Sequence, residues 1–239
     1  MPHNFKPIYI LPNLFTAASI FVGFLSILNA INGNYEKAAW LIFLSLIFDG
    51  LDGRVARLTN SCSKFGVEFD SLADMVAFGV APAILLYMYI GADYGRLGAV
   101  VSGLFIIFGA IRLARFNVAA AEDEPGVFIG VPIPTAAVFI AIWILLLEKY
   151  MHFRVFEIGL LGMSLIVSFL MVSNFRYPSF KKMNFPKSTA IKLLVFITFL
   201  LAVTYIFPVE SFATLITAYI CYGLIRGIYN LFLIKKEKL

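Results

Sequence analysis

The chain has 239 residues, 61% of them hydrophobic and only 14% charged, with 25 Phe and a formal net charge of +5. That balance excludes an ordinary soluble domain, and the basic surplus is not interleaved with exposed aromatics as a nucleic-acid surface would be. Cys62 and Cys221 share no metal-ligand spacing, and His3 and His152 lie outside the apolar stretches, so the chemistry falls to carboxylates rather than to a thiolate, an imidazole or a histidine relay.

Apolar stretches of the roughly 20 residues needed to cross a bilayer recur along the whole chain. Eight are expected, over residues 8–31, 35–57, 66–90, 96–118, 131–150, 157–174, 189–207 and 211–234. The connections leave no room for a soluble domain, so the prediction is an all-α polytopic membrane bundle of about eight transmembrane helices, one domain over residues 1–239. The first stretch exceeds the apolar region of a secretion signal, lacks a small-residue cleavage pattern after it, and is expected to be retained. It opens Leu11-Pro12-Asn13-Leu14-Phe15-Thr16. Asn13 and Thr16 share a helix face there, where polar groups and free amides suit a phosphate, although Asn is also an ordinary N-cap.

The second and third stretches carry Asp49, Asp52, Glu68, Asp70 and Asp74. An ionised side chain at the centre of a membrane helix costs about 2.5–3.5 kcal/mol even on insertion scales, so such residues face a cavity, a partner or a pathway. Helical spacing puts Asp49 and Asp52 on one face with Gly53 and Ala56, and Asp70 and Asp74 on another, with Gly66 one turn earlier. If the two helices pair antiparallel across the 58–65 loop, the four carboxylates converge, and a divalent cation would compensate several of them at once. Glu68 is out of phase and is left outside the site. A lone intramembrane Asp often only fixes helix packing; four at these spacings argue for a site.

The fourth stretch ends Ile111-Arg112-Leu-Ala-Arg115-Phe116-Asn117, two guanidinium groups three residues apart on the same membrane side as the acids, suited to carboxylate or phosphate unless they only snorkel to lipid headgroups. Lys6, Lys64, Arg112, Arg115, the 176–188 stretch and the C-terminal lysines fall on one side and few basic residues on the other. Both termini are therefore expected in the cytoplasm of an integral cell-membrane protein, the positive charge meeting anionic membrane lipids.

Written out, Asp49-x-x-Asp52-Gly53-x-x-Ala56-Arg57, eight residues, Gly66, three residues, Asp70, three residues and Asp74 resembles the signature of the CDP-alcohol phosphotransferase family at all eight defining positions. The resemblance implies a transferase that passes a phosphatidyl group from CDP-diacylglycerol to an alcohol. It implies two divalent ions, Mg²⁺ or Mn²⁺, held by Asp49, Asp52, Asp70 and Asp74, with Asp74 also the general base. It implies a CDP-lipid pocket lined by Gly53, Ala56 and Arg57, with Gly66 of the same signature and with Asn13 and Thr16 alongside, and commonly a homodimer. The Arg-x-x-Arg-Phe-Asn stretch, Gly130-Val-Pro132-Ile-Pro134 and the first helix opening are similar to the membrane-spanning phosphatidylserine synthase branch of that family. On that likeness L-serine is the acceptor, with Arg112 and Arg115 for its carboxylate and Asn117 for its ammonium. Transfer to glycerol phosphate or inositol phosphate stays open, as does a divalent-cation or proton transporter; the Gly53-x-x-Ala56-Arg57 segment and the lack of an inverted repeat of the acidic pair count against the transporter.

Overall fold

The structure, a computed structural model, describes residues 10–119, 127–150, 154–178, 197–198 and 200–237. Eight helical rods follow one another among these residues. They are α1 (Ile10–Ile31), α2 (Tyr35–Leu58), a third rod built from α3 (Lys64–Asp74), a π-helical turn (Met75–Val80) and α4 (Ala81–Tyr89), then α5 (Arg96–Ala119), α6 (Ile133–Tyr150), α7 (Arg154–Val172), α8 (200–206) and α9 (Pro208–Glu237). The expected all-α membrane bundle is therefore what forms. Among the described residues five helices are long and apolar enough to cross a membrane: Ile10–Ile31, Lys64–Tyr89, Arg96–Val118, Ile133–Tyr150 and Pro208–Gly227. α2 matches them in length but carries Glu36, Lys37, Asp49, Asp52, Arg54 and Arg57, and the apolar part of α7, Ile158–Val172, is shorter. The start of the 189–207 segment, the 176–188 basic stretch beyond Pro178, and Lys6, His3 and His152 lie outside the described residues.

α1 and α2 form an antiparallel hairpin turned at Asn32-Gly33-Asn34, where Gly33 adopts φ +76°. A stripe of small and hydroxyl residues on α1 zips the pair. Ser26 Oγ donates to the Ala38 carbonyl at 2.7 Å, and Ser19 and Ser45 donate to each other's carbonyls at 3.2 and 3.1 Å. Lipid offers no water to satisfy such groups, so interhelical hydroxyl bonds of this kind hold backbones close. Gly23, on the same helix, meets the π turn, where a Cβ would lie 2.9 Å from Ala77 Cα. α1 thus packs on both α2 and the third rod; α2 meets that rod directly through α4 and the π turn but hardly through α3. The pairing of the second and third apolar stretches considered from the sequence is therefore made through α4 and the π turn, while α1 bridges α2 to α3.

α6 is the central helix, with Ile133, Ala136, Ala137, Ile140, Ala141, Ile144 and Leu147 all buried, as expected of a helix apolar on every side. Its entry is set by the preceding turn. Gly130 has φ +76°, and a side chain there would lie 2.4 Å from the Met171 carbonyl oxygen. Backbone amides of Gly130 and Val131 donate to the carbonyls of Phe175 and Leu170, and Pro134 follows in the first turn of α6, where a missing N–H costs nothing. Beside this turn β1 (Val127–Ile129) and β2 (Arg176–Pro178) pair antiparallel, a short two-stranded element that hydropathy did not foretell. α9 docks on α6 through Trp143 Nε1, which donates to Thr217 Oγ1 at 3.0 Å, and through the Lys149–Glu210 ion pair at 2.9 Å.

The Gly23–Ala77 crossing makes Gly23→Val an overpacking change of about 1–3 kcal/mol. The expected outcome is a lowered thermal midpoint in detergent. Gly159→Ala, on α7 with nothing within 4 Å of an added Cβ, is expected to leave the midpoint unchanged or slightly raised.

Candidate active site

The polar stripe of α1 ends in the site. Two turns before Gly23, Thr16 Oγ1 donates to Asp52 Oδ2 at 2.6 Å, and the hydroxyl also reaches the Pro12 carbonyl at 3.2 Å. Asp52 is thereby fixed at 6% exposure on α2. Around it opens a cavity of about 200 Å³ lined by Pro12, Asn13 and Thr16 of α1, by Asp52, Gly53, Ala56 and Arg57 of α2, by Ser61, Cys62 and Ser63 of the connecting loop, and by Gly66, Val67 and Asp70 of α3. All six residues that the sequence assigned to a CDP-lipid pocket, Asn13, Thr16, Gly53, Ala56, Arg57 and Gly66, meet in this one cavity.

Local chemistry explains its shape. The loop after α2 turns through Asn60 at φ +50°, a conformation asparagine tolerates better than most residues. Ser63 then caps α3, its Oγ accepting from the Gly66 amide at 3.0 Å. A side chain on Gly66 would sit 3.2 Å from that Oγ and 3.6 Å from Asn13 Oδ1, so the glycine keeps the wall between α1 and α3 open. At Gly53 a Cβ would meet only ordinary contact, 3.7 Å from Arg57 Nη1, the guanidinium folding back along its own helix at the cavity rim. Ser61, Cys62 and Ser63 are lining residues that sequence reasoning missed; the Ser63-x-x-Gly66 spacing before an apolar run was the available cue.

On the other side of Asp52 the remaining acids close up. One oxygen each from Asp49, Asp70 and Asp74 lie within 4.8 Å of one another. Asp52 stands apart from this trio, tied to Thr16, yet all four carboxylates are near enough for their charges to interact. Asp70 belongs to both places, lining the cavity and joining the trio. The Oδ1 atoms of Asp70 and Asp74 are buried with no hydrogen-bond partner, a costly state for carboxylate oxygens unless a cation shares them. A small dication bound at about 2.1 Å to each oxygen spans at most about 4.2 Å between them, so the trio fits a hard cation with slight contraction. Glu68 is exposed and points elsewhere, as its phase implied. The π turn begins immediately after Asp74, the sort of irregularity that accompanies functional positions.

The residues expected around the acceptor separate. Arg112 is near enough to Asp74 for their charges to interact without a direct ion pair, and the Phe116 ring of its own helix has its centroid 5.4 Å from the guanidinium carbon. Arg115 turns to the end of α7, donating from Nη1 to the Val172 carbonyl at 3.1 Å and from Nη2 to Asn174 Oδ1 at 2.6 Å. Asn117 exchanges hydrogen bonds with Ser71 of α3 at 3.0 and 3.3 Å. In this structure, then, Arg112 adjoins the acids, Arg115 holds α7, and Asn117 holds α3 between Asp70 and Asp74.

Comparison with known proteins gives the family of the chain. The CDP-alcohol phosphatidyltransferase family model matches residues 9–171. A protein of Helicobacter pylori strain J99 named CDP-diacylglycerol–serine O-phosphatidyltransferase is 50% identical over 231 residues, 96% of this chain and 94% of its own length. Proteins of the same name are 33% identical over 211 residues in Methanocaldococcus jannaschii, covering 88% of this chain and 94% of that one, and 34% identical over 172 residues in Bacillus subtilis, covering 72% and 92%. With the family match spanning every carboxylate of the site, the chain belongs to the CDP-alcohol phosphatidyltransferase family.

Proposed function

We propose that the chain transfers the phosphatidyl group of CDP-diacylglycerol to the hydroxyl of L-serine, releasing CMP and phosphatidylserine, at the cytoplasmic face of the cell membrane. The observation that carries the reading is the trio of Asp49, Asp70 and Asp74 opening through Asp70 into a cavity of about 200 Å³. The names of the relatives, similar over nearly the full chain, support serine as acceptor. A cavity of that size takes a cytidine diphosphate in part, the lipid tails lying outward in the bilayer.

In this reading Gly53 and Ala56 let the nucleotide approach backbone, Arg57 pairs with the diphosphate, and Asn13, Thr16 and Gly66 bound the opposite wall. Asp49, Asp52, Asp70 and Asp74 hold two divalent ions, Mg²⁺ or Mn²⁺, which when bound supply the charge that neutralises non-bridging phosphate oxygens and the leaving group. Asp74 accepts the proton of the serine hydroxyl as its oxygen forms a bond to the lipid-bearing phosphorus. The bond from that phosphorus to the bridging oxygen breaks, and CMP departs with the electron pair. Arg112 pairs with the serine carboxylate and Asn117 accepts from its ammonium, while Arg115 sets the position of α7 behind them. Residues 1–239 act as one domain, both termini are cytoplasmic, and the protein is a homodimer.

The deciding measurement is CMP release from CDP-diacylglycerol with Mg²⁺ or Mn²⁺ and each of serine, glycerol 3-phosphate, inositol 1-phosphate or no acceptor. Serine alone is expected to stimulate it. Asp74→Asn is expected to reduce turnover by at least about 100-fold and EDTA to abolish it. Stimulation by a phosphate-bearing acceptor instead would reassign Arg112 to a phosphate, and no turnover by folded, metal-loaded protein would remove the transferase reading.

The two arginines should part company. Arg112→Ala is expected to raise the serine KM strongly at unchanged thermal midpoint. Arg115→Ala, losing one hydrogen bond to the last residue of α7 and one to Asn174 just beyond it, is expected to cost about 1–3 kcal/mol of stability with a smaller effect on KM. Equal serine KM in wild type and Arg112→Ala would end the carboxylate assignment.

Cys62 lines the cavity and is exposed, which supplies a readout independent of turnover. In a Cys221→Ser background, CDP-diacylglycerol is expected to slow maleimide labelling of Cys62 several-fold. Unchanged labelling at saturating CDP-lipid would move the nucleotide out of this cavity.

A further inference from the structure

The loop between α2 and α3 brings two serines to the cavity, and their hydrogen bonds fix what each can offer a ligand. Thr59 Oγ1 lies 2.7 Å from the Val55 carbonyl oxygen, which can only accept, so the single proton of Thr59 is used there. Ser61 Oγ lies 2.6 Å from the same Thr59 Oγ1 and is therefore the donor of that bond. Its one proton is directed at Thr59, which does not line the cavity, and the Ser61 oxygen is left able to accept but not to donate. Ser63 is the reverse: its Oγ accepts from the Gly66 amide at 3.0 Å, and that bond leaves its proton available to a ligand.

Backbone contacts hold this arrangement. Asn60 turns through φ +50°, the Ser61 amide donates to the Ala56 carbonyl at 2.9 Å, and Ser61 is only 4% exposed, so its hydroxyl is withdrawn from bulk water. The loop also forms the end of the cavity away from the acids. From Asp52 to the last residue of α2, Leu58, the axis runs about 9 Å at about 1.5 Å per residue. With the diphosphate held near the carboxylates, the nucleoside extends toward the loop. Across the cavity Asn13 carries both a donor and an acceptor on its amide and can serve either kind of base by turning over. Ser61 has no such choice.

The pairing edge of cytosine carries an amino donor where that of uracil carries an oxygen acceptor. We propose that Ser61 is a specificity-determining residue for the nucleotide: its oxygen accepts from the exocyclic amino group of cytosine, while the Ser63 hydroxyl donates to the neighbouring acceptor of the ring. Opposite uracil the Ser61 oxygen would face a second acceptor with no proton between them, and a site built around a buried hydrogen bond rejects such a mismatch strongly. Ser61 falls in the eight residues that the signature leaves free between Arg57 and Gly66, so the signature itself does not imply this role. The inference rests on the reading of the cavity as the CDP site.

The test is protection of Cys62 from maleimide in the full-length Cys221→Ser protein in detergent with Mg²⁺, titrated with CMP and with UMP and normalised to each variant's rate without nucleotide. CMP is expected to protect at a concentration at least about 20-fold below that of UMP. Ser61→Ala is expected to weaken CMP at least about tenfold and UMP less than about twofold. Thr59→Val removes the acceptor of the Ser61 proton, which can then turn to the cavity, and is expected to tighten UMP at least about threefold, a gain that a merely loosened loop would not give. If CMP protects but Ser61→Ala leaves the ratio of CMP to UMP unchanged, or weakens both alike as a ribose contact would, the role of Ser61 is overturned and the cavity stands as the nucleotide site. Unchanged or weaker UMP protection in Thr59→Val overturns it too, even where Ser61→Ala does not fold. No protection by either nucleotide in the parent protein overturns both the role and the site.

Discussion

Four carboxylates brought together inside a membrane bundle repel one another, and the rest of the architecture can be understood as what makes that arrangement tolerable. At a separation of a few ångströms and in a medium of lower dielectric than water, like charges cost several kcal/mol per pair unless protons or cations intervene. Here Asp52 has a hydroxyl from Thr16, whereas Asp70 and Asp74 each keep a buried oxygen with no partner. The protein has thus stabilised one member of the group with its own donor and left the others directed at a shared point. Such a division suits a site that must bind a cation and a ligand in turn, because the charge is not already neutralised by the fold.

α1 performs the assembly although it contributes no carboxylate. Its hydroxyl and glycine positions let α2 on one side and the π turn on the other approach to backbone distance, through Ser19, Gly23 and Ser26. The Thr16 bond to Asp52 terminates the same seam. Packing in lipid and ligation in the site are therefore two ends of one interhelical contact, and the wall of the cavity is made by residues that also hold the helices together.

Much of this was legible in the sequence, for identifiable reasons. Helix number followed from hydropathy because lipid imposes a length on each apolar run, and α2 was recognisable despite its charges because Ala38, Ile42 and Ser45 continue the helical period around them. The carboxylates were legible because i, i+3 and i, i+4 spacing fixes a shared face whatever the neighbours do. What failed to show was partner choice between distant elements. Arg112 and Arg115 are three residues apart and chemically identical, yet only the end of α7, with the Val172 carbonyl and Asn174, decides which is drawn aside. The intervention of α1 between α2 and α3 was likewise invisible, since small residues signal close approach without naming the partner. Gly130-Val-Pro132-Ile-Pro134, read as a mark of acceptor type, has a local cause in the turn that seats α6 on α7.

The π turn from Met75 to Val80 places the two halves of the third rod out of step. A residue gained in one turn of helix advances everything after it by about 100°. Asp70 and Asp74 meet Asp49 of α2 ahead of this offset, and Phe78, Leu85 and Leu86, within and beyond it on the same rod, are buried in the core. The rod behaves as two gears on one shaft with an offset between them. Both halves of the rod pack on α1, so the carboxylate half and the half that fills the core are held to one another by a third helix as well as by the turn between them.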